Sequence, residues 1–287
     1  MKEFTQKIFT GERALFASQS LKITDSVFAD GESPLKESRD LEIENCIFKW
    51  KYPLWYCNDV TVRNTTLLET ARSGIWYTHG ISIENSVIEA PKTFRRSSRI
   101  TLRNVSMPKA QESAWNCRDV KLERVSIVGD YFGMNSENVE CDTVTVTGNY
   151  LFDGAANVEV RDSKIISKDA FWNCKNVTVY DSTIIGEYLG WNSENVTFVN
   201  CIIESNQGLC YMDRLKLVNC KLINTDLAFE YSAVEADVST VIDSVKNPKS
   251  GIIRARGIEE LILEETRIDP SKTKIIVDIG GQNEPEI

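Results

Sequence analysis

A chain of 287 residues can bury a large core, as one elongated domain or as two compact ones. Its 42% hydrophobic and 26% charged content is ordinary for a globular protein, and a net charge of -9 argues against a general nucleic-acid or anionic-membrane surface. No apolar run in the sequence approaches the length of a membrane span.

In chain order, residues 1–14 precede the first clean repeat and are expected to form an N-terminal cap. They carry neither a sustained apolar h-region nor a small-residue cleavage pattern, so with residue 1 as the native start the expected location is the cytoplasm. From residue 15 to 223 one unit recurs. Its reference position, the first apolar residue of a "V-x-V-x-N" pattern, falls at Leu21, Leu41, Val60, Ile81, Ile100, Val120, Val139, Val158, Val177, Val196 and Leu215. The spacings are 19 to 21 residues, and a period held that closely is the signature of a repeat architecture.

Offsets from that reference are written with a sign. Position +2 is apolar throughout (Ile23, Ile43, Val62 and onward), which with the reference gives a period of two and a short strand. Position +4 is polar, mostly Asn or Asp (Asp25, Asn45, Asn64, Asn85), residues that tolerate the left-handed backbone of a tight bend. Position +7 is apolar again (Phe28, Phe48, Leu67, Ile88) and marks a second strand. A third is expected in segments such as "GIW", "AFW" and "YLGW" just before the next reference. Three short strands per coil of about 19 residues describe an all-β parallel β-solenoid of about twelve or thirteen coils. Residues 224–287, where the pattern loosens, are expected to hold irregular final coils and a C-terminal cap, all within a single β-helix domain spanning 1–287.

The unit "N-V-T-V-x-D-S-x-I" and its Asn ladder resemble the right-handed parallel β-helices of the pectin-lyase-like superfamily, over residues 15–223 and beyond. More narrowly, the Trp-x-Cys/Ser-x-Asn-Val units and the tail "IDSVKNPKSGIIRARGIEELILEE" look like a bacterial family of unknown function within it. The resemblance implies right-handedness, which periodicity alone does not give, and glycan partners. It implies no mechanism, because the Asn-Thr-Asp, Asp-Asp, Gly-His-Gly and Arg-Ile-Lys motifs of polygalacturonases are missing. Arg95 or Arg96 could imitate the Arg base of pectate lyases, but no acidic calcium cluster accompanies them.

Five of the six Trp share position −5: Trp55, Trp76, Trp115, Trp172 and Trp191. Two columns beside them pull in opposite directions. Position −6 has no polar member (Leu54, Ile75, Phe94, Phe171), which places it inward and sends the Trp outward by strand alternation. Position −3 is uniformly small (Cys57, Thr78, Ser97, Cys117, Cys174, Ser193), which suits a crowded interior and, in an unbroken strand, would pull the Trp in with it. A bend between −5 and −3 reconciles the two. Outward indoles at the ~4.8 Å strand spacing suit stacking on sugar rings, with Asn173 and Asn192 beside them as hydrogen-bonding groups, joined by Asn116 and Asn135. Tyr131, Tyr150 and Tyr188 would widen that surface.

The expectation is therefore a glycan-binding β-helix that contacts an oligo- or polysaccharide. The alternative is a non-catalytic structural or protein-interaction module in which the row is packing. If there is chemistry, of a polysaccharide lyase or glycoside hydrolase kind, Asp153, Arg95 and Asp169 are the candidates, with Glu187 nearby; a hydrolase needs two carboxylates about 5–10 Å apart. The single His79 excludes a multi-histidine metal site. No metal, cofactor, nucleic acid or membrane is called for, and homo-oligomerisation is left open. Six of eight Cys fall in two columns of small residues; among these six only Cys201 and Cys220 lie on adjacent coils and could meet.

Overall fold

The computed structural model describes residues 1–277. Two compact units divide it, Met1–Gly148 and Asn149–Ile287. The fold is an all-β, right-handed parallel β-solenoid with almost no helix, about 15 turns of about 19 residues each.

In the first unit the references pair in register, Leu21 with Leu41, Val60 with Ile81, Ile100 with Val120 and Val120 with Val139. Position +7 pairs likewise, Phe28 with Phe48 and Phe48 with Leu67. The second unit repeats the scheme through Val158, Val177, Val196, Leu215 and Val234.

The turns exceed the expected twelve or thirteen for reasons visible at both ends. Residues 1–14, expected as a cap, are themselves built as a coil. Lys2–Thr5 pairs with the strand Gln19–Thr24, setting Lys2 opposite Leu21 and Phe4 opposite Ile23, and Phe9 pairs with Phe28. A lysine at the reference position hid this coil from a search for apolar residues. Its half-exposed Phe9 continues an interior stack in which Phe9 and Phe28 centroids lie 4.9 Å apart and Phe28 and Phe48 lie 4.4 Å apart. At the other end the long strands Ala233–Lys246 and Ser250–Ile262, and then Thr273–Val277, carry references at Val234, Gly251 and Thr273. Register shifts between Leu217 and Cys220 and between Val238 and Val241 blur the period there. Residues 278–287 of the expected C-terminal region lie outside the described residues.

Left-handed backbone shapes every coil. Position +4 has φ near +50° at Asp25, Asn45, Asn64, Asn85 and Asn104, and again at Asp162, Asp181 and Asn200. Position −4 is left-handed too, at Tyr56, Tyr77, Arg96, Asn116, Asn173 and Asn192. The third side of the coil bonds parallel to its neighbours, with Tyr56 N donating to Trp76 O and Tyr77 N to Arg95 O, but it reads as turns and isolated bridges because these kinks interrupt it.

The kinks explain the small interior columns. A left-handed residue takes the following N–H out of line with the neighbouring coil's carbonyl, and a buried N–H without a partner is costly. A hydroxyl one coil away accepts it. Thr78 N donates to Ser97 Oγ at 3.1 Å and Cys117 N to Ser136 Oγ at 3.0 Å, and in the second unit Cys174 N donates to Ser193 Oγ at 2.8 Å. Position +5 works the same way, with Thr65 N donating to Ser86 Oγ and Ser163 N to Ser182 Oγ. Cys fills some of these places as a small buried residue; all eight are free. Burial pushes the Cys57, Cys117 and Cys174 thiols up to about 12, so they are held as thiols at neutral pH. Cys201 and Cys220 lie on adjacent coils, their thiols donating to backbone carbonyls, Cys201 Sγ to Val179 O and Cys220 Sγ to Phe198 O.

Candidate functional site

The left-handed residue at position −4 decides where the tryptophans point. It lets position −3 face inward although position −5, only two residues away, faces out. Position −6 is buried at Leu54, Ile75, Phe94 and Phe171, and position −3 is buried at Cys57, Thr78, Cys117 and Cys174, while all five Trp between these columns are half-exposed. The expected bend is therefore present.

In the first unit the row closes on itself. Trp55 and Trp76 stack with centroids 5.1 Å apart and planes 7° apart, so their faces look along the stack of coils and their edges look to solvent. Tyr52 also packs on Trp55, tilted 42° with centroids 4.6 Å apart. Arg95 occupies the next coil's place in the row, its guanidinium 5.1 Å from the Trp76 ring and 4.3 Å from the Trp115 ring. Glu112 accepts from Arg95 Nη2 at 2.8 Å and from Lys92 Nζ at 3.0 Å. Burial alone would raise the Glu112 carboxyl; Lys92 and Arg95 outweigh it and hold it below its ordinary value. Each indole N–H is used as well, Trp55 donating to Ser73 O, Trp76 to Lys92 O and Trp115 to Tyr131 O, at 2.6 to 2.7 Å. A second file runs beside it, with Tyr56 and Tyr77 stacked at 4.7 Å.

The second unit is looser. Trp172 and Trp191 lie 6.3 Å apart with planes at 59°, so neither covers the other's face. Tyr188 meets Trp191 edge-on at 5.3 Å and 71°, and Tyr211 meets it at 5.1 Å and 58°. Trp191 Nε1 donates to Gln207 O at 2.7 Å, whereas Trp172 Nε1 has no protein acceptor among the described residues. Exposed Asn173 and Asn192 form an amide ladder beside the rings: Asn192 Nδ2 donates to Asn173 Oδ1 at 2.8 Å, and Asn173 Nδ2 to Asp153 Oδ1 at 3.1 Å.

The expected chemical candidates separate. Arg95 belongs to the first unit, where it is a ring spacer paired to Glu112. Asp153 and Asp169 belong to the second. Asp169 is 3% exposed, and burial pushes its carboxyl above the ordinary value against the pull of Lys168 and of a hydrogen bond from Tyr150; the nearby charges of Glu187 and Asp153 push the same way as burial. Glu187 is exposed and paired to Lys168 at 3.2 Å. Asp169 is thus deeply buried, whereas half-exposed Asp153 accepts from Asn173 Nδ2 at the end of the amide ladder. His79 is exposed, with Nδ1 2.8 Å from Ser98 Oγ. Among the described residues no group of three His, Cys, Asp or Glu is gathered as a metal site would require. Sequence reading passed over Tyr211 and Tyr231, which continue the aromatic contacts with centroids 5.4 Å apart. Tyr211 lies four residues before the reference Leu215 and Tyr231 three before Val234, and that near-coincidence was the available signal.

No curated protein matches the chain by sequence. Among solved structures, the chain is similar to PfbA, a surface adhesin of Streptococcus pneumoniae, at a TM-score of 0.52 and 10% identity, over 80% of this chain and 83% of that one. It is also similar to the A-module of the mannuronan C-5 epimerase AlgE4 of Azotobacter vinelandii, at a TM-score of 0.35 and 10% identity, over 97% of this chain and 88% of that one. At such identities the likeness speaks to the fold alone. The family model described as "Protein of unknown function (DUF3737)" matches residues 2–276, and the chain belongs to that family.

Proposed function

We propose that the protein is a glycan-binding β-helix of the pectin-lyase-like kind, and that its saccharide contact lies on the aromatic face of the second unit. One observation carries this reading. Trp172 and Trp191 are not stacked face to face, the Trp172 N–H has no protein acceptor among the described residues, and exposed Asn173 and Asn192 stand beside them. Sugar rings pair an apolar face with peripheral hydroxyls, so they want an aromatic face and amide partners at one place. The row in the first unit offers edges instead of faces, which favours packing as the role of Trp55, Trp76 and Trp115. Binding without a chemical step is the proposal, because the buried Asp169 and the amide-bonded Asp153 present no acid and base to a ligand.

Calorimetric titration with a panel of neutral and acidic oligosaccharides tests it. Saturable binding is expected, lost in Trp172→Ala and Trp191→Ala and retained in Trp55→Ala. Binding that survives both second-unit substitutions, or no binding by any saccharide, would sink the proposal.

A further inference from the structure

The second strand of each coil turns positions +6 and +8 outward on either side of the buried +7. In the first unit position +8 is mixed, with Lys49, Leu68, Glu89 and Pro108 in succession. In the second unit it becomes aliphatic. Ile166 pairs with Ile185 and Ile185 with Glu204, while Ile202, at +6 beside Glu204, pairs with Lys221. Ile166, Ile202 and Ile223 are 40%, 37% and 41% exposed, and Val241 on the following strand is 41% exposed. The intervening Ile165, Ile184, Ile203 and Leu222 are buried, so the outward aliphatics are surplus to the core. The charges bordering this strip are surplus as well. Lys164, Glu204 and Lys221 make no ion pair among the described residues, whereas on the preceding strands of the same unit Glu194 pairs with Lys175 and Arg214.

We infer that this strip is the contact face between two copies of the chain, laid side by side with a two-fold axis along the stack of coils. That symmetry sets position +6 of one copy over position +8 of the other, coil for coil. Lys164 then lies over Ile166 of the partner subunit, Thr183 over its Ile185, Ile202 over its Glu204 and Lys221 over its Ile223. Lysine stems cover aliphatic carbon while their ammonium groups stay at the rim. Lys221 finds Glu204 of the partner subunit one coil away, about 5 Å at strand spacing, and the two-fold makes that contact twice. An antiparallel arrangement centred on the strip sets Lys164 against Lys221, or Glu204 against Glu204, which disfavours it. Charge of both signs on one strip, complementary to itself, is what singles out a second copy as the occupant. From Ile166 to Val241 the strip runs about 19 Å, and standard interfaces bury roughly 800 Å² per partner, so the pairing is weak and concentration-dependent. The aromatic row lies on a different side of the coil, and the inference does not rest on the glycan reading.

Sedimentation of the full chain from micromolar to millimolar concentration tests it, with a shift from monomer to dimer expected. Ile202→Glu and Ile223→Glu should each weaken the dimer at least tenfold, because symmetry buries the added carboxylate twice. Ile47→Glu, at position +6 of the first unit and 37% exposed, should leave it unchanged. Lys221→Glu should weaken association about tenfold by turning two attractive contacts into repulsive ones, and adding Glu204→Lys should restore it. The replaced side chains are exposed or half-exposed, and the thermal midpoint checks that each variant remains folded. A monomer at every concentration overturns the inference, and so does a dimer indifferent to both Ile202→Glu and Ile223→Glu. A double variant as weak as Lys221→Glu alone overturns the side-by-side arrangement.

Discussion

The two units solve the same packing problem with the same repeat and reach opposite outcomes on one face. In Met1–Gly148 the row Trp55, Trp76, Arg95, Trp115 is a closed stack: ring on ring, then a cation between rings, with every indole N–H donated to a carbonyl of the next coil. In the second unit Trp172 and Trp191 are tilted 59° instead of stacked, and the Trp172 N–H has no protein acceptor among the described residues. One column is therefore packed in two ways, and the distinction lies in the ring planes instead of in the residue type. Stacked rings spend their polarizable faces on each other, each pair contributing about 0.5–1.5 kcal/mol beyond burial. Tilted ones do not stack face to face on each other.

The largest test of that contrast is stability. Trp76→Ala removes a ring sandwiched between Trp55 and Arg95 and should cost roughly 2–4 kcal/mol in urea unfolding. Trp172→Ala should cost about half as much, because fewer ring faces lose a neighbour. Equal shifts in the two would erase the distinction. Next, Arg95→Ala should destabilise by about 1–2 kcal/mol through loss of two cation–ring contacts. Arg95→Lys should recover only part of it, since a compact ammonium cannot lie flat between two rings.

Acidity separates the units in sign. Glu112 sits below its ordinary value of 4.5, so its contribution to stability is present above that value and is lost as pH falls through the depressed one. Asp169 sits above its ordinary 3.8, so its contribution is full below that value and is lost as pH rises through the raised one. Glu112→Gln should therefore lower the thermal midpoint at neutral pH, with the gap closing in acid. Asp169→Asn should raise it at neutral pH, and that gain should shrink in acid. Scans of both variants from pH 3 to 7 check the opposition. The smallest effect concerns one hydrogen bond. Trp115→Phe gives up the bond to Tyr131 O and should cost about 1 kcal/mol more than Trp172→Phe, whose indole has no protein acceptor to lose.

Much of this arrangement was legible in the residues. The period placed the references, the apolar −6 column and the small −3 column, and their disagreement about the Trp was itself the sign of a bend, which Tyr56, Tyr77, Asn173 and Asn192 supply with left-handed backbone. Ring planes were not legible, because a column fixes where a side chain starts and says nothing about its χ angles or about which faces a neighbour covers. Arg95 read as a candidate for chemistry, whereas it continues the row as a cation between two rings. The first coil was masked by Lys2.

The interior hydroxyls have a consequence for descent. Because Ser, Thr or Cys at positions −3 and +5 meets the same backbone need in each coil, one coil presents nearly the same lower and upper surface as another. A duplicated or deleted segment of 19 residues would bring its own matching seams, while most other lengths would misplace the bends at once. Surplus residues are tolerated at a corner, as in the short 3-10 turn Glu69–Ala71. Lineages carrying this chain can thus lengthen or shorten it in whole coils, and the number of coils becomes a heritable ruler for whatever lies along the face.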